Sequence, residues 1–309
     1  MVICSHCHPT MFCFIKIQNG FAGAILPGSS GSSLDKKPLN RCSTYLCTTV
    51  QLPLILSTHI SHFVCIGYLN FAKLNRMGET NRLMGHGVFD YMEGFHSNMF
   101  GRHWRFTLPL YSRAAVDLPM TMRTWLGGFG RTSIDLCQTI RQSSTGDLLA
   151  SGVFRVVNVD PNTQRAVALP DRLREKLSAE TVKVVGAGER FSAIRPPSAV
   201  PDGSFSCKVT VRHDDMDFLF HTTQGAYLGF ARECAAQASE SGFYSRLCDD
   251  IAFHLASETT GVHFAESFAG DELTVSTWED AVCPLLLHFT VSRHDRVIYY
   301  ATIRYFADN

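Results

Sequence analysis

The chain has 309 residues, of which 45% are hydrophobic and 18% charged, with 28 basic side chains balancing 28 acidic ones. That length suits two globular domains of ordinary size. The even charge balance, with no dense Lys/Arg run, gives a nucleic acid no electrostatic foothold and excludes it as an expected partner. The odd count of 11 cysteines at irregular spacing excludes a disulfide framework. Reduced thiols in an intracellular compartment are expected, in the cytoplasm first, with an organelle as the alternative.

No uninterrupted apolar run reaches the roughly 18 residues that a spanning helix needs. The nearest approach, residues 52–69, is broken by His59, Ser61 and His62 and reads as buried core. The N-terminus lacks the charged, apolar and small-residue regions of a signal peptide. Residues 1–53 differ from the rest. They hold Cys4, His6, Cys7, His8, Cys13, Cys42 and Cys47 beside the tract Gly28-Ser29-Ser30-Gly31-Ser32-Ser33. Cys4-x-x-Cys7 supplies zinc-type ligands, but Cys42 and Cys47 have the wrong spacing for the second half of such a site. No metal and no cofactor is expected, and 1–53 reads as a disordered or non-native leader.

Residues 54–170 form the first predicted domain. Tyr68 to Met77 contains no Pro or Gly and reads as a helix. Residues 106–111 and 118–125 are strand-like. Residues 133–141 and 148–159 are two strands joined by Ser144-Thr145-Gly146-Asp147, a hairpin turn signal. The second of these is apolar on both faces, as a central strand should be. Residues 171–206 form a linker punctuated by prolines, with a short charged helix predicted over 171–179.

Residues 207–309 form the second predicted domain. Val209-Thr210-Val211 is a short strand. Ala226, Tyr227, Phe230, Ala231, Cys234, Ala235 and Ala238 then fall at helical spacing. The small side chains on that face allow a sheet to approach closely. Residues 263–268 are read as a strand, then 273–278, then 287–292, in which Leu287, Phe289 and Val291 alternate with polar residues. His294-Asp295 forms a turn, and Tyr299, Ala301, Ile303 and Tyr305 alternate in the final strand. Period-2 alternation with tight turns predicts an antiparallel sheet.

The pattern occurs twice. Tyr68-Leu69-x-Phe71-Ala72 matches Tyr227-Leu228-x-Phe230-Ala231, and the stretch ending in Thr124-Trp125 matches the one ending in Thr277-Trp278. A repeat this long reads as two copies of one domain. With these residues the chain resembles the hotdog-fold thioesterases, in their tandem double-hotdog form that acts on acyl-CoA or acyl-carrier-protein thioesters. In that superfamily the helix entry often reads D-x3-H-x-N-N-x2-Y; here Asp217, His221, Thr223-Gln224 and Tyr227 occupy the spacing, followed by Gly270-Asp271-Glu272-Leu273. The resemblance covers residues 54–309. It implies an α+β fold of two tandem hotdog domains, each a long helix wrapped by an antiparallel sheet, as a monomer with an internal pair or as a homodimer. The paired Asn is replaced by Thr223-Gln224. The first copy has Thr58 at the acid position, His62 at the histidine and Val64-Cys65 at the Asn pair, so it is read as a degenerate partner.

The same residues fit thioester hydrolysis on chemical grounds. Asp217 is a general base or nucleophile in an apolar approach, Phe218-Leu219-Phe220, where desolvation raises carboxylate basicity. His221 positions substrate or relays a proton, and Gln224 holds water. Backbone N–H groups around Thr223, Gln224 and Gly225 at a helix start would face the oxyanion. Set against this, Asp217 can be a helix-entry cap, Tyr227 reads as core packing, and Asp214, Asp215, Asp271 and Glu272 read as turn or exposed residues. Ser133 has no G-x-S-x-G elbow around it. The alternative function is a non-catalytic hotdog that binds acyl groups or scaffolds partners. An enoyl-thioester hydratase ranks third, because residues 217–221 lack that group's spacing.

Overall fold

The computed structural model describes residues 16–17, 46–51, 97–111, 120–181, 190–216, 221–248, 251 and 254–307. The cysteine–histidine cluster at the N-terminus, the predicted helix from Tyr68 to Met77 and Asp217 lie outside the described residues.

One antiparallel sheet of 11 strands dominates. Its strands are β1 (Lys16–Ile17), β2 (Leu46–Gln51), β3 (Ser97–Phe106), β4 (Met120–Phe129), β5 (Ser133–Gln142), β6 (Leu148–Asn158), β7 (Phe205–Thr210), β8 (Ala256–His263), β9 (Glu272–Glu279), β10 (Leu286–Arg293) and β11 (Arg296–Tyr305). Two helices accompany it among the described residues, α1 (Asp171–Thr181) and α2 (Gln224–Glu240). The spatial order is β1-β2-β4-β5-β6-β3-β8-β11-β10-β9-β7. Read inward from either edge, β2-β4-β5-β6-β3 and β7-β9-β10-β11-β8 follow the same path. The two runs join where β3 pairs with β8, Arg102 opposite Gly261 and Trp104 opposite Thr259.

Side chains alternate across a strand, so each face can be followed through the register. Leu273 and Val275 of β9, Leu287, Phe289 and Val291 of β10, and Tyr299, Ala301 and Ile303 of β11 share one face and form the main core with α2. The helix turns Tyr227, Leu228, Phe230, Ala231, Cys234, Ala235 and Ala238 inward, and all are buried. Ala and Cys on that stripe let backbone and sheet come close, and the Cys234 thiol donates to the Val275 carbonyl at 3.4 Å. The same face continues across the seam through Trp104 and Phe106. Trp104 lies flat because residue 152 is Gly: a Cβ there would fall 2.6 Å from the Trp104 ring.

The expected strands of the second half are found, with one displacement. Residues 263–268 do not form a strand. β8 ends at His263, and residues 264–268 turn away as a loop whose Phe264 and Phe268 are exposed. At the other end of the chain's read segments, β3 occupies 97–106, and the expected strand at 106–111 is a single 3-10 turn, Leu108–Tyr111, around Pro109. The sheet also takes β2 from the segment assigned to the leader: Leu46–Gln51 pairs with β4. His294 and Asp295 both have positive φ (48° and 62°) and form the tight β10–β11 turn, the conformation a two-residue hairpin requires.

The proline-punctuated connector packs on the sheet. Leu173 and Leu177 of α1 are buried against Ile134, Leu136 and Phe154. On the opposite face Phe191 packs with Cys137, Val153 and Val262. Beside it Arg155 lies over the Phe191 ring at 5.6 Å and donates two hydrogen bonds, of 2.7 and 2.8 Å, to the buried Asp135.

Candidate functional site

The site is built where the α2 N-terminus meets the loop after β8. Thr223 caps the helix: its hydroxyl accepts the Ala226 N–H at 3.1 Å, and its own N–H donates to the Asp215 carbonyl at 2.8 Å. Both groups of Thr223 are thus engaged. Tyr227 bonds back to the Thr223 carbonyl. The first-turn donors left for a ligand are the N–H groups of Gln224 and Gly225, since the opening N–H groups of a helix have no intrahelical acceptor. Asp215 is a turn former, accepting the Arg212 N–H at 2.7 Å.

His221 stands just before this cap. Its Nε2 lies 3.3 Å from Oε2 of Glu266, and both side chains are about one-third exposed, at 34% and 35%. Glu266 comes from the loop after β8, 45 residues along the chain, and only the fold brings it to the histidine. Its other oxygen accepts from Asn98 of β3 at 3.3 Å, and Asn98 also donates to Gln164 at 2.9 Å. A β3 side chain, from across the β3–β8 seam, therefore reaches the same carboxylate as His221. Phe268 meets the His221 ring edge-on at 5.8 Å and gives the pair an apolar border, and Phe264, at the start of the same loop, is also exposed.

A buried hydroxyl chain fixes the loop against the helix. Tyr227 donates to Ser267 (2.7 Å), Ser267 to Thr222 (2.8 Å), and Thr222 back to the Ser267 carbonyl (2.8 Å); the Thr222 N–H also donates to that carbonyl at 3.0 Å. Tyr227 is 1% exposed and stacks on Tyr299 at 4.8 Å. Burial pushes its hydroxyl above the ordinary value, against the lowering by Ser267 and Thr222. It acts as a strut, in line with its reading as core.

Gln224 faces inward. It is 4% exposed; its Nε2 lies 3.5 Å from the Tyr299 hydroxyl, and its Oε1 has no hydrogen-bond partner among the described residues. Gly261 makes this possible, because a Cβ there would stand 3.0 Å from Gln224 Nε2 and 2.8 Å from Tyr299 Cζ. Arg102, opposite Gly261, is 3% exposed, and burial pushes its guanidinium down to about 10. Asp271 of the Gly-Asp-Glu-Leu stretch accepts the Phe268 N–H at 3.0 Å and pairs with Arg293. It thereby closes the loop that carries Glu266 and Ser267.

The structure thus brings together His221, Thr223, Gln224 and Gly225 at one helix start. Asp217 lies outside the described residues. Glu266 is the residue that sequence reading missed: it sits between two phenylalanines in a stretch that read as strand. A lone carboxylate inside an apolar run, shortly before a Gly-Asp turn, was the available signal. Among the described residues no group of three or more His, Cys, Asp or Glu side chains could hold a metal ion.

No protein-family model matches the chain, and no curated protein matches its sequence. Solved structures do match its fold. The 12:0-ACP thioesterase from Umbellularia californica superposes with a TM-score of 0.63 at 14% identity, covering 85% of this chain and 98% of that one. A putative oleoyl thioesterase from Lactobacillus plantarum gives 0.58 at 14%, covering 79% and 89%. An acyl-ACP thioesterase from Bacteroides thetaiotaomicron gives 0.52 at 15%, covering 78% and 89%. At these identities the likeness shows the fold: the chain is a hotdog-fold protein with the architecture of the acyl-ACP thioesterases.

Proposed function

We propose that this hotdog-fold chain is a tandem double hotdog that hydrolyses acyl thioesters at the start of α2. The observation that carries the reading is the His221–Glu266 pair, 3.3 Å apart and held beside the free first-turn N–H groups of a buried helix. The repeated strand order supports the tandem arrangement, with β2–β6 as one unit and β7–β11 as the other.

In this reading the imidazole, oriented by Glu266, takes a proton from water as the water oxygen attacks the thioester carbonyl. The N–H groups of Gln224 and Gly225, at the positive end of α2, receive the developing oxyanion. The C–S bond then breaks. A thiol of pKa near 8.5 leaves without much acid help. Asp217, four residues before His221, is the second carboxylate proposed for the site, as base or nucleophile. Phe264 and Phe268 offer apolar surface to an acyl or pantetheine chain. The substrate class is an acyl-CoA or an acyl-carrier-protein thioester.

The test is free-thiol release from acyl-CoAs of graded chain length, and from acyl-carrier protein, by the full chain. Glu266→Gln and Asp217→Asn are assayed alongside. Loss of a positioned base is expected to lower kcat about 100- to 10,000-fold. A fall confined to Glu266→Gln assigns the base to the His221 pair; a fall confined to Asp217→Asn assigns it to Asp217. If no substrate releases thiol, hydrolysis is refuted and the non-catalytic, acyl-binding alternative stands.

A further inference from the structure

The face of the sheet turned away from α2 carries a second polar centre. His103 of β3, Thr260 of β8, Tyr300 of β11 and His288 of β10 alternate with the residues that pack on the helix. Between this face and the connector at 192–195 lies a cavity of about 410 Å³, within the range of small-molecule sites.

Its floor sets two histidines, each beside a carboxylate and a hydroxyl. His103 has Glu258 at 3.1 Å from Nε2 and the Thr260 hydroxyl at 3.1 Å from Nδ1. His288 has Asp280 at 3.0 Å from Nε2 and the Tyr300 hydroxyl at 2.8 Å from Nδ1. A carboxylate beside one ring nitrogen orients an imidazole. Trp278 stacks on His288 at 5.4 Å and 7°, and His288 on Tyr300 at 6.2 Å and 13°, so the ring is held in a column. Glu258 is shared between His103 and Arg304, the latter at 3.6 Å. Arg195, from the connector, is exposed and makes no ion pair among the described residues. Burial pushes the Tyr300 hydroxyl up, which leaves it a neutral donor rather than a nucleophile.

We propose that this cavity binds a phosphate group, free or as the monoester of a small molecule, between Arg195 of the connector and Arg304 of the sheet. Arg195 offers a whole fork from one wall; Arg304, whose Nε faces Glu258 at 3.6 Å and whose Nη1 donates to Cys283 Sγ at 3.1 Å, offers its Nη2 from the other. A phosphate, with three terminal oxygens, can accept from both, whereas a single fork already satisfies a carboxylate. Ile194 and Leu286, also in the lining, give apolar surface to whatever body the phosphate carries. The cavity lining includes neither His221 nor Glu266, so its occupancy is measured independently of thioester hydrolysis.

The test is calorimetric titration of the full chain with inorganic phosphate and with adenosine monophosphate at constant ionic strength. Arg195→Gln is compared with Arg172→Gln, an exposed cation on α1. Saturable binding of at least one probe is expected, weakened about tenfold or more by Arg195→Gln, as for loss of a charge-assisted hydrogen bond. Arg172→Gln should leave it unchanged. Binding of the monoester points to a phosphorylated small molecule; binding of inorganic phosphate alone points to the free ion. The proposal is overturned if neither probe saturates, if Arg195→Gln leaves the affinity unchanged, or if both variants weaken it equally. Because Arg195 is exposed, the ligand-free unfolding midpoint of its variant should match that of the wild type.

Discussion

Gly261→Ala tests whether the helix start is set by the seam strand beneath it. Gly261 sits on β8, between Arg102 of β3 and Ala301 of β11. An added Cβ falls inside contact of the Tyr299 hydroxyl, 2.8 Å from Cζ and 3.0 Å from Gln224 Nε2. Carbon atoms rest about 3.5 Å apart, so Cζ must retreat by about 0.7 Å, and the hydroxyl by more. Tyr299 has no room to do so: it is 0% exposed and stacks on Tyr227 at 4.8 Å. Overpacking of this kind costs about 1–3 kcal/mol, read as a lower urea midpoint at unchanged slope. The displacement passes through Tyr227 to Ser267, next to Glu266. A misplacement near 1 Å at a reacting group lowers turnover by about 100-fold, read by thiol release. Tyr299→Phe in the same background removes the atom that the methyl group meets first. The double variant should recover part of the stability, with a coupling of about 0.5–3 kcal/mol. Stability of Gly261→Ala within about 0.5 kcal/mol of wild type, or additive effects of the two changes, would refute the reasoning.

Two further outcomes are expected. Ser267→Ala removes the middle of the Tyr227–Ser267–Thr222 chain and takes away the Ser267 hydroxyl that the buried Tyr227 hydroxyl bonds; it should cost about 1–3 kcal/mol in denaturant unfolding and reduce thiol release, and an unchanged midpoint would show the chain to be incidental. Asp271 is held below its ordinary value of 3.8: burial, which would raise it, is outweighed by the Phe268 N–H and by Arg293 and His294. A depressed carboxylate stabilises the fold fully above its unfolded pKa and loses that contribution as pH falls through the folded value. The wild type should therefore lose stability faster than Asp271→Asn as pH drops below about 4, and parallel acid limbs would rule this out.

The sequence made parts of this fold readable for identifiable reasons. Leu287, Phe289 and Val291, and Tyr299, Ala301 and Ile303, face one helix and meet polar surroundings on the other side, so their strands alternate. The small stripe Ala231-Cys234-Ala235-Ala238 signalled a helix pressed on a sheet. β8 left no such trace. Thr259, Thr260 and Gly261 lie between two paired strands at the seam, and Gly261 is needed for what it lacks. The apolar residues just beyond, Phe264 and Phe268, drew the strand assignment to a loop. That displacement hid Glu266, whose partnership with His221 depends on a hairpin-scale turn and a helix start meeting in space. The inward turn of Gln224, expected to hold water, likewise depends on the missing side chain at Gly261.

The β3–β8 pairing has a consequence for how the protein behaves on dilution. Because both strands belong to one chain, their association is first-order, governed by the effective concentration that the connector imposes rather than by the amount of protein in solution. Two separate chains meeting along such an edge would part below their dissociation constant. Here Asn98 and Glu266, one from each side of the seam, stay matched one to one at any concentration.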